Sequence, residues 1–152
     1  MGKLSIVAAL MLCLSAVMLR AASGTAPAAK SDKELLQGTW RVVGMVRNGD
    51  ATPEDDLKEA SMSMRFAGEI ATLAKGDRSK DASFTLDETK TPKQIVITPK
   101  DGPEKDKPRT SIYELKGDTL KMAFRIGQDT AAPTDFTQGD GLGLMTLERQ
   151  KP

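Results

Sequence analysis

From residue 40 to residue 149, apolar and polar positions alternate with a period of two, in short runs separated by turn residues. This is the pattern of half-buried β-strands. Trp40, Val42, Gly44 and Val46 share one face of a first strand, which ends at the turn Asn48-Gly49-Asp50. Met62, Met64 and Phe66 alternate with Ser61, Ser63 and Arg65. After Gly68, residues 69–74 return as a hairpin partner and stop at Lys75-Gly76-Asp77. Ala82, Phe84 and Leu86 alternate with Ser83, Thr85 and Asp87, and residues 93–98 place Ile95 and Ile97 opposite Val96. Ser111, Tyr113 and Leu115 lead through Lys116-Gly117-Asp118 into Leu120, Met122, Phe124 and Ile126, a hairpin with a strand on each side. The last run puts Met145, Leu147 and Arg149 on one face.

Helical signals are brief. Ser31 or Asp32 can N-cap a turn through Lys33-Glu34-Leu35-Leu36 that stops at Gly38. Pro53 to Glu59 reads as a second, acidic helical segment. Two long connections interrupt the strands: the charged, proline-rich segment 99–108, and 127–141 with Pro133 and Phe136. About eight short strands, with no repeat, heptad or βαβ alternation, indicate a barrel or sandwich.

Arg149 tips the choice toward a barrel. It shares the core face of the last strand, and an inward charge needs a partner. Trp40, on the core face of the first strand, can stack on it, a contact worth about 2 kcal/mol when desolvated. The other reading is that the strand frays before Arg149 and its side chain is solvated. A stack implies that first and last strands meet. The expected fold is therefore all-β: an eight-stranded antiparallel barrel over residues 31–152, behind a short N-terminal helix.

The N-terminus changes the picture of where the domain works. Lys3 precedes a 16-residue apolar run, Leu4 to Leu19, followed by Arg20-Ala21-Ala22-Ser23. That reads as an export signal over 1–23, with 24–30 as a small, Ala/Pro-rich linker. The run is short of the roughly 20 residues that span a bilayer, so no stable membrane span is expected after cleavage, although retention as an anchor is the alternative. Removal leaves 20 basic residues against 21 acidic ones and no cysteine. That balance carries no electrostatic footprint for nucleic acid. An exported domain without disulfides fits a periplasmic or extracellular bacterial location.

Gly38, Trp40 and Arg149 together resemble the structural signature of the lipocalin superfamily. The set Leu36-Gln37-Gly38-Thr39-Trp40, Phe84-Thr85-Leu86-Asp87, Tyr113 to Leu120 and Pro133-Thr134-Asp135-Phe136 is similar to a family of uncharacterised lipocalin-like domains abundant in planctomycete bacteria. The likeness covers residues 34–150. The family commonly has Arg before the Pro of the loop motif, where this chain has Ala132. The resemblance implies a barrel and an envelope location, and no catalytic residue follows from it.

The 152 residues contain no histidine, which removes Ser-His-Asp and Cys-His catalysis and the usual zinc and haem ligation. No cofactor and no enzymatic activity are expected. Met62, Met64, Phe66, Phe84, Tyr113, Met122 and Phe124 all fall on core faces. Methionine and aromatic side chains suit an adaptable apolar pocket, and an eight-stranded barrel can hold one small ligand. The same side chains can instead fill the barrel, and six aromatics in the mature domain are few for a large pocket. Tyr113 can fix a polar ligand end or satisfy a backbone carbonyl. Acidic clusters at 54–56 and at Asp135 with Asp140 lack calcium-loop spacing and read as solvated loops. Asp87-Glu88 is a weak candidate for paired-carboxylate hydrolysis. Loops 99–108 and 127–141 are long enough for recognition of an envelope protein, with Phe136 as an exposed anchor or a plug in one barrel mouth. The expected partner is a small apolar molecule in the barrel or, as the alternative, a protein on these loops.

Overall fold

The computed structural model describes residues 28–151; the segment read as an export signal lies outside them. Helix α1 (Asp32–Leu36) precedes β1 (Gly38–Arg47), β2 (Asp50–Ala51), α2 (Glu54–Ala60), β3 (Met62–Ala67), β4 (Ile70–Lys75), β5 (Arg78–Asp87), β6 (Lys93–Pro99), β7 (Arg109–Lys116), β8 (Thr119–Arg125) and β9 (Leu142–Arg149). Each strand from β3 to β9 pairs antiparallel with the next. β1 pairs with β3 on one side and β9 on the other, which closes the sheet. The result is a closed eight-stranded antiparallel barrel, with β2 as a short hairpin extension of β1. Closure leaves no long unpaired edge.

Turn chemistry agrees with the sequence at the β1–β2 corner, where Asn48 and Gly49 both have positive φ, as a two-residue type I′ connection needs. β1 departs from simple alternation. Its register against β9 shifts between Val42 and Gly44, a β-bulge. One extra residue reverses the facing beyond it, so Met45 rather than Val46 packs on the core, opposite Met145. The expectation of Gly44 and Val46 on the core face is therefore corrected. Gly44 lies against Thr146, where a Cβ would just fit at 3.4 Å. Past Arg41, β1 leaves β3, and α2 packs against it there with Leu57 buried.

At the end where β1 starts and β9 finishes, α1 lies across the barrel. Its start is a full capping box: the Glu34 N–H donates to the Ser31 hydroxyl, and the Ser31 N–H donates to the Glu34 carboxylate. Leu36 is fully buried in the barrel core with Trp40, whose indole N–H donates to the Leu36 carbonyl at 2.8 Å. The Arg149 guanidinium stacks on that indole, 4.2 Å from the ring centroid. It also donates to the carbonyls of Gln37 (2.8 Å) and Leu35, and its Nε lies 3.3 Å from the Asp118 carboxylate. One side chain thus caps the orphan carbonyls of α1 and joins them to β9 and the β7–β8 turn. Gln37 adds a two-way bond to the backbone of Gly68, and Lys33 pairs with Glu69.

The outer face of β7 and β8 is also buried. Ile112 and Ala123 are directly paired, face away from the barrel interior, and are almost fully covered. The 127–141 segment returns along this side. The Thr110 N–H donates to the Thr130 carbonyl (3.3 Å), Pro133 is buried, and half-buried Phe136 stands beside Pro92, Lys93 and Leu115. Segment 99–108 folds back on itself, with Asp106 donating to Pro99 and Lys100 to Asp81.

Replacing Arg149 with Met should lower unfolding stability by about 2–4 kcal/mol, since a cation–π contact and charge-assisted hydrogen bonds vanish together. Denaturant titration should show the loss together with a changed emission of Trp40, the sole tryptophan. Arg149→Lys, which keeps the charge but not the planar fork, should fall between the two. Coincident curves for all three proteins would exclude this role.

A candidate ligand cavity at the open end

The two ends of the barrel differ in chemistry. Opposite α1, a cavity of about 280 Å³ opens among the strand ends. Its apolar wall is made by Met64, Leu73, Ile97, Met122, Phe124 and Met145. Small side chains create the room. Ala71 and Ala82 face each other across the β4–β5 pair, and buried Ser111 adds a third small position on β7. Phe124 lies over Gly143, its direct partner on β9, where a Cβ would overlap the ring. A glycine beneath an aromatic lets the ring lie flat on the backbone instead of crossing the lumen.

The seven side chains read from the sequence as barrel lining divide between two regions and the rim. Met64, Met122 and Phe124 line this cavity. Phe66 and Phe84 are buried together nearer α1, edge to face with centroids 5.1 Å apart, and fill that half of the barrel. Tyr113 is buried beside α1. Met62 is half-buried and borders a separate surface cleft with Arg41, Glu54 and Lys58. Gly38, Trp40 and Arg149 belong to the closed end.

Tyr113 has its hydroxyl engaged there. It donates to the Asp32 carboxylate at 2.8 Å, and Lys93 Nζ reaches the same oxygen at 2.6 Å. Burial, followed by the hydrogen bond and charge of Asp32, pushes the Tyr113 hydroxyl far above its ordinary value of 10.0. It therefore acts as a fixed donor that ties β7 to α1, not as a free group in the cavity.

The cavity mouth is charged. Lys80, Asp81, Arg109, Arg125 and Asp129 border it. Arg109 pairs with Glu104 at 3.3 Å, and Asp81 accepts from the Thr72 hydroxyl at 2.6 Å. Arg125 Nε lies 3.2 Å from Asp129 Oδ2, yet the N–H is not aligned for a hydrogen bond and the buried atom has no partner. The two observations agree on an ionic contact of imperfect alignment. The other Asp129 oxygen accepts from the Ala131 N–H.

The acidic candidates lie elsewhere. Asp87 accepts from the Thr89 hydroxyl and N–H, which hold its carboxyl below the usual range, whereas a general acid needs a raised value. Asp135 accepts from Thr137 in the same way. Among the described residues no three acidic side chains converge as metal ligands, and no helix is long and apolar enough to cross a membrane.

Sequence reasoning missed Ala71, Ala82, Ser111, Arg109 and Arg125. The available signal was size: inward positions otherwise held by large residues carry Ala, Ala and Ser on β4, β5 and β7. The two arginines are the first residue of β7 and the last of β8, and alternation says nothing about where strand-end charges meet. Comparison with known proteins adds no relative: no family model, curated protein or solved structure matches the chain.

Stability should fall as pH rises above about 10, because the unfolded chain releases the tyrosine proton there while the folded chain retains it. The contribution is complete below the ordinary value and disappears toward the folded value. Tyr113→Phe should be less stable by about 1 kcal/mol near neutrality. It should also lose this alkaline component, seen as a flatter melting temperature from pH 9 to about pH 11. Tyr113 is the only tyrosine, so tyrosinate absorbance follows it directly.

Proposed function

We propose that this chain is an exported, non-enzymatic lipocalin-like domain that carries a small apolar molecule in its barrel. The observation that carries the reading is the apolar cavity of about 280 Å³ at the open end, left by Ala71, Ala82 and Ser111 among larger inward residues. An eight-stranded barrel packed to interior density would leave few voids larger than a water. Taking a water's share of about 30 Å³ as one small group, there is room for roughly nine such groups. That is slightly below the range usual for drug-sized ligands and matches a small molecule. The three methionines of the wall adapt to irregular shapes.

The export reading rests on the N-terminal residues 1–23, and membership of the planctomycete lipocalin-like family on the motif set from Leu36 to Phe136. A recognition role for loop 127–141 has less support, because its Thr130, Pro133 and Phe136 are engaged with the domain itself.

Native mass spectrometry of the protein from its source cells should show an added mass that organic extraction removes. The purified protein should bind an environment-sensitive apolar dye with saturable, single-site behaviour. Ala82→Leu fills the cavity from one wall and should reduce dye affinity at least tenfold with the melting temperature little changed. Gly143→Ala should also weaken it by driving the Phe124 ring into the lumen, at a stability loss of about 1–3 kcal/mol. A dye that binds all three proteins alike lies outside the barrel and would refute the carrier reading.

A further inference from the structure

Ala71, Ala82 and Ser111 all make room in the barrel, and one of them is polar. Ser111 faces inward from β7, with Ile95 as its partner on β6, and is only 4% exposed. It stands two residues in from Arg109, about 7 Å along the strand and so below the charged rim. Among the described residues no protein group bonds its hydroxyl, and Arg125 Nε is the sole unbonded side-chain atom sealed from solvent. The Ser111 oxygen therefore keeps surface of its own, and that surface faces the cavity. An alanine would leave the same room without the cost of desolvating a hydroxyl, and buried hydroxyls are ordinarily bonded. The rim offers a guest no spare buried charge. Arg109 is paired with Glu104, Arg125 lies against Asp129, and Lys80 is exposed to water.

We infer that the bound molecule carries one neutral oxygen on a compact apolar body, and that the Ser111 hydroxyl donates to that oxygen. The inference rests on the carrier reading and adds a single polar contact to it. A hydroxyl rotates to suit its partner and both donates and accepts, so a carbonyl or an alcohol oxygen meets the same need. A carboxylate does not: at this depth its charge would be desolvated with one hydroxyl as its partner. Met64, Met122, Met145 and Phe124 surround the rest of the guest. Room for roughly nine small groups accepts one ring with a short substituent, and excludes a long acyl chain without opening of the barrel.

Acetophenone, α-methylstyrene and benzoate share one size and shape and differ at the oxygen. Isothermal titration should find acetophenone bound at least tenfold more tightly than benzoate. Ser111→Ala should weaken acetophenone about fivefold, the worth of one net hydrogen bond, and leave α-methylstyrene within about twofold. The carbonyl stretch of bound acetophenone should lie below its value in alkane solvent, and should return toward that value in Ser111→Ala. Equal weakening of both ligands would mark Ser111 as a residue of cavity shape and overturn the assignment. So would unchanged acetophenone affinity; either result leaves the apolar carrier standing. Benzoate bound as tightly as acetophenone would overturn the neutral oxygen. Failure of acetophenone, α-methylstyrene and the apolar dye alike would remove the carrier reading itself. The carbonyl frequency in the wild-type protein needs no variant, and an alkane-like value there would overturn the contact even if Ser111→Ala folded poorly.

Discussion

Barrel closure depends on the contact between Trp40 and Arg149. β1 and β9 are the first and last strands among the described residues, and their pairing requires distant segments to meet. Arg149 joins them with more than strand hydrogen bonds. Its guanidinium covers the buried indole and takes carbonyls that a five-residue helix would otherwise leave without donors. A helix this short has little stability of its own. It persists because its capping box, the Leu36 anchor and the Arg149 and Tyr113 bonds hold it from several strands at once. The charge is tolerated inside the barrel's rim for the same reason: one face of the guanidinium lies on the indole, its N–H groups have acceptors, and about a quarter of the side chain still meets solvent.

This arrangement separates stability from binding along the barrel axis. Near α1 the interior is filled by Trp40, Phe66, Phe84, Tyr113 and Leu36, and the polar groups there are mutually satisfied. Toward the other end the inward positions shrink to Ala71, Ala82 and Ser111, and polar satisfaction becomes incomplete at Arg125. A domain without disulfides can hold an open cavity when the opposite half is closed this firmly.

The long segment 127–141 belongs to the scaffold rather than to the mouth. Ile112 and Ala123 are apolar on a face that solvent would otherwise reach, and Pro133 is buried near by. Only Asp129 of this segment borders the cavity. Phe136 stands beside Pro92 and Leu115, away from the open mouth and toward the strand ends on the α1 side. β7 and β8 are therefore buried on both faces, which their sequences hint at: Ser111-Ile112-Tyr113 and Met122-Ala123-Phe124 are less alternating than the strands before them.

The sequence by itself determined the strands, most of their facing and the all-β class, because period-two alternation and glycine-bearing turns act over a few residues. It also pointed to the meeting of β1 and β9, since an inward arginine needs a partner and Trp40 is the suitable one. Core positions such as Met64, Phe84 and Met122 were legible for the same local reason. The tertiary structure alone decided which of those side chains fill the barrel and which border empty space. That outcome depends on how Ala71, Ala82 and Ser111, far apart in the chain, come to one level of a twisted, staggered barrel. The bulge after Val42, the Asp32–Tyr113 bond and the gathering of Arg109 and Arg125 at one mouth have the same origin. Alternation fixes which way a side chain points from its own strand, whereas strand register and barrel closure fix what it meets.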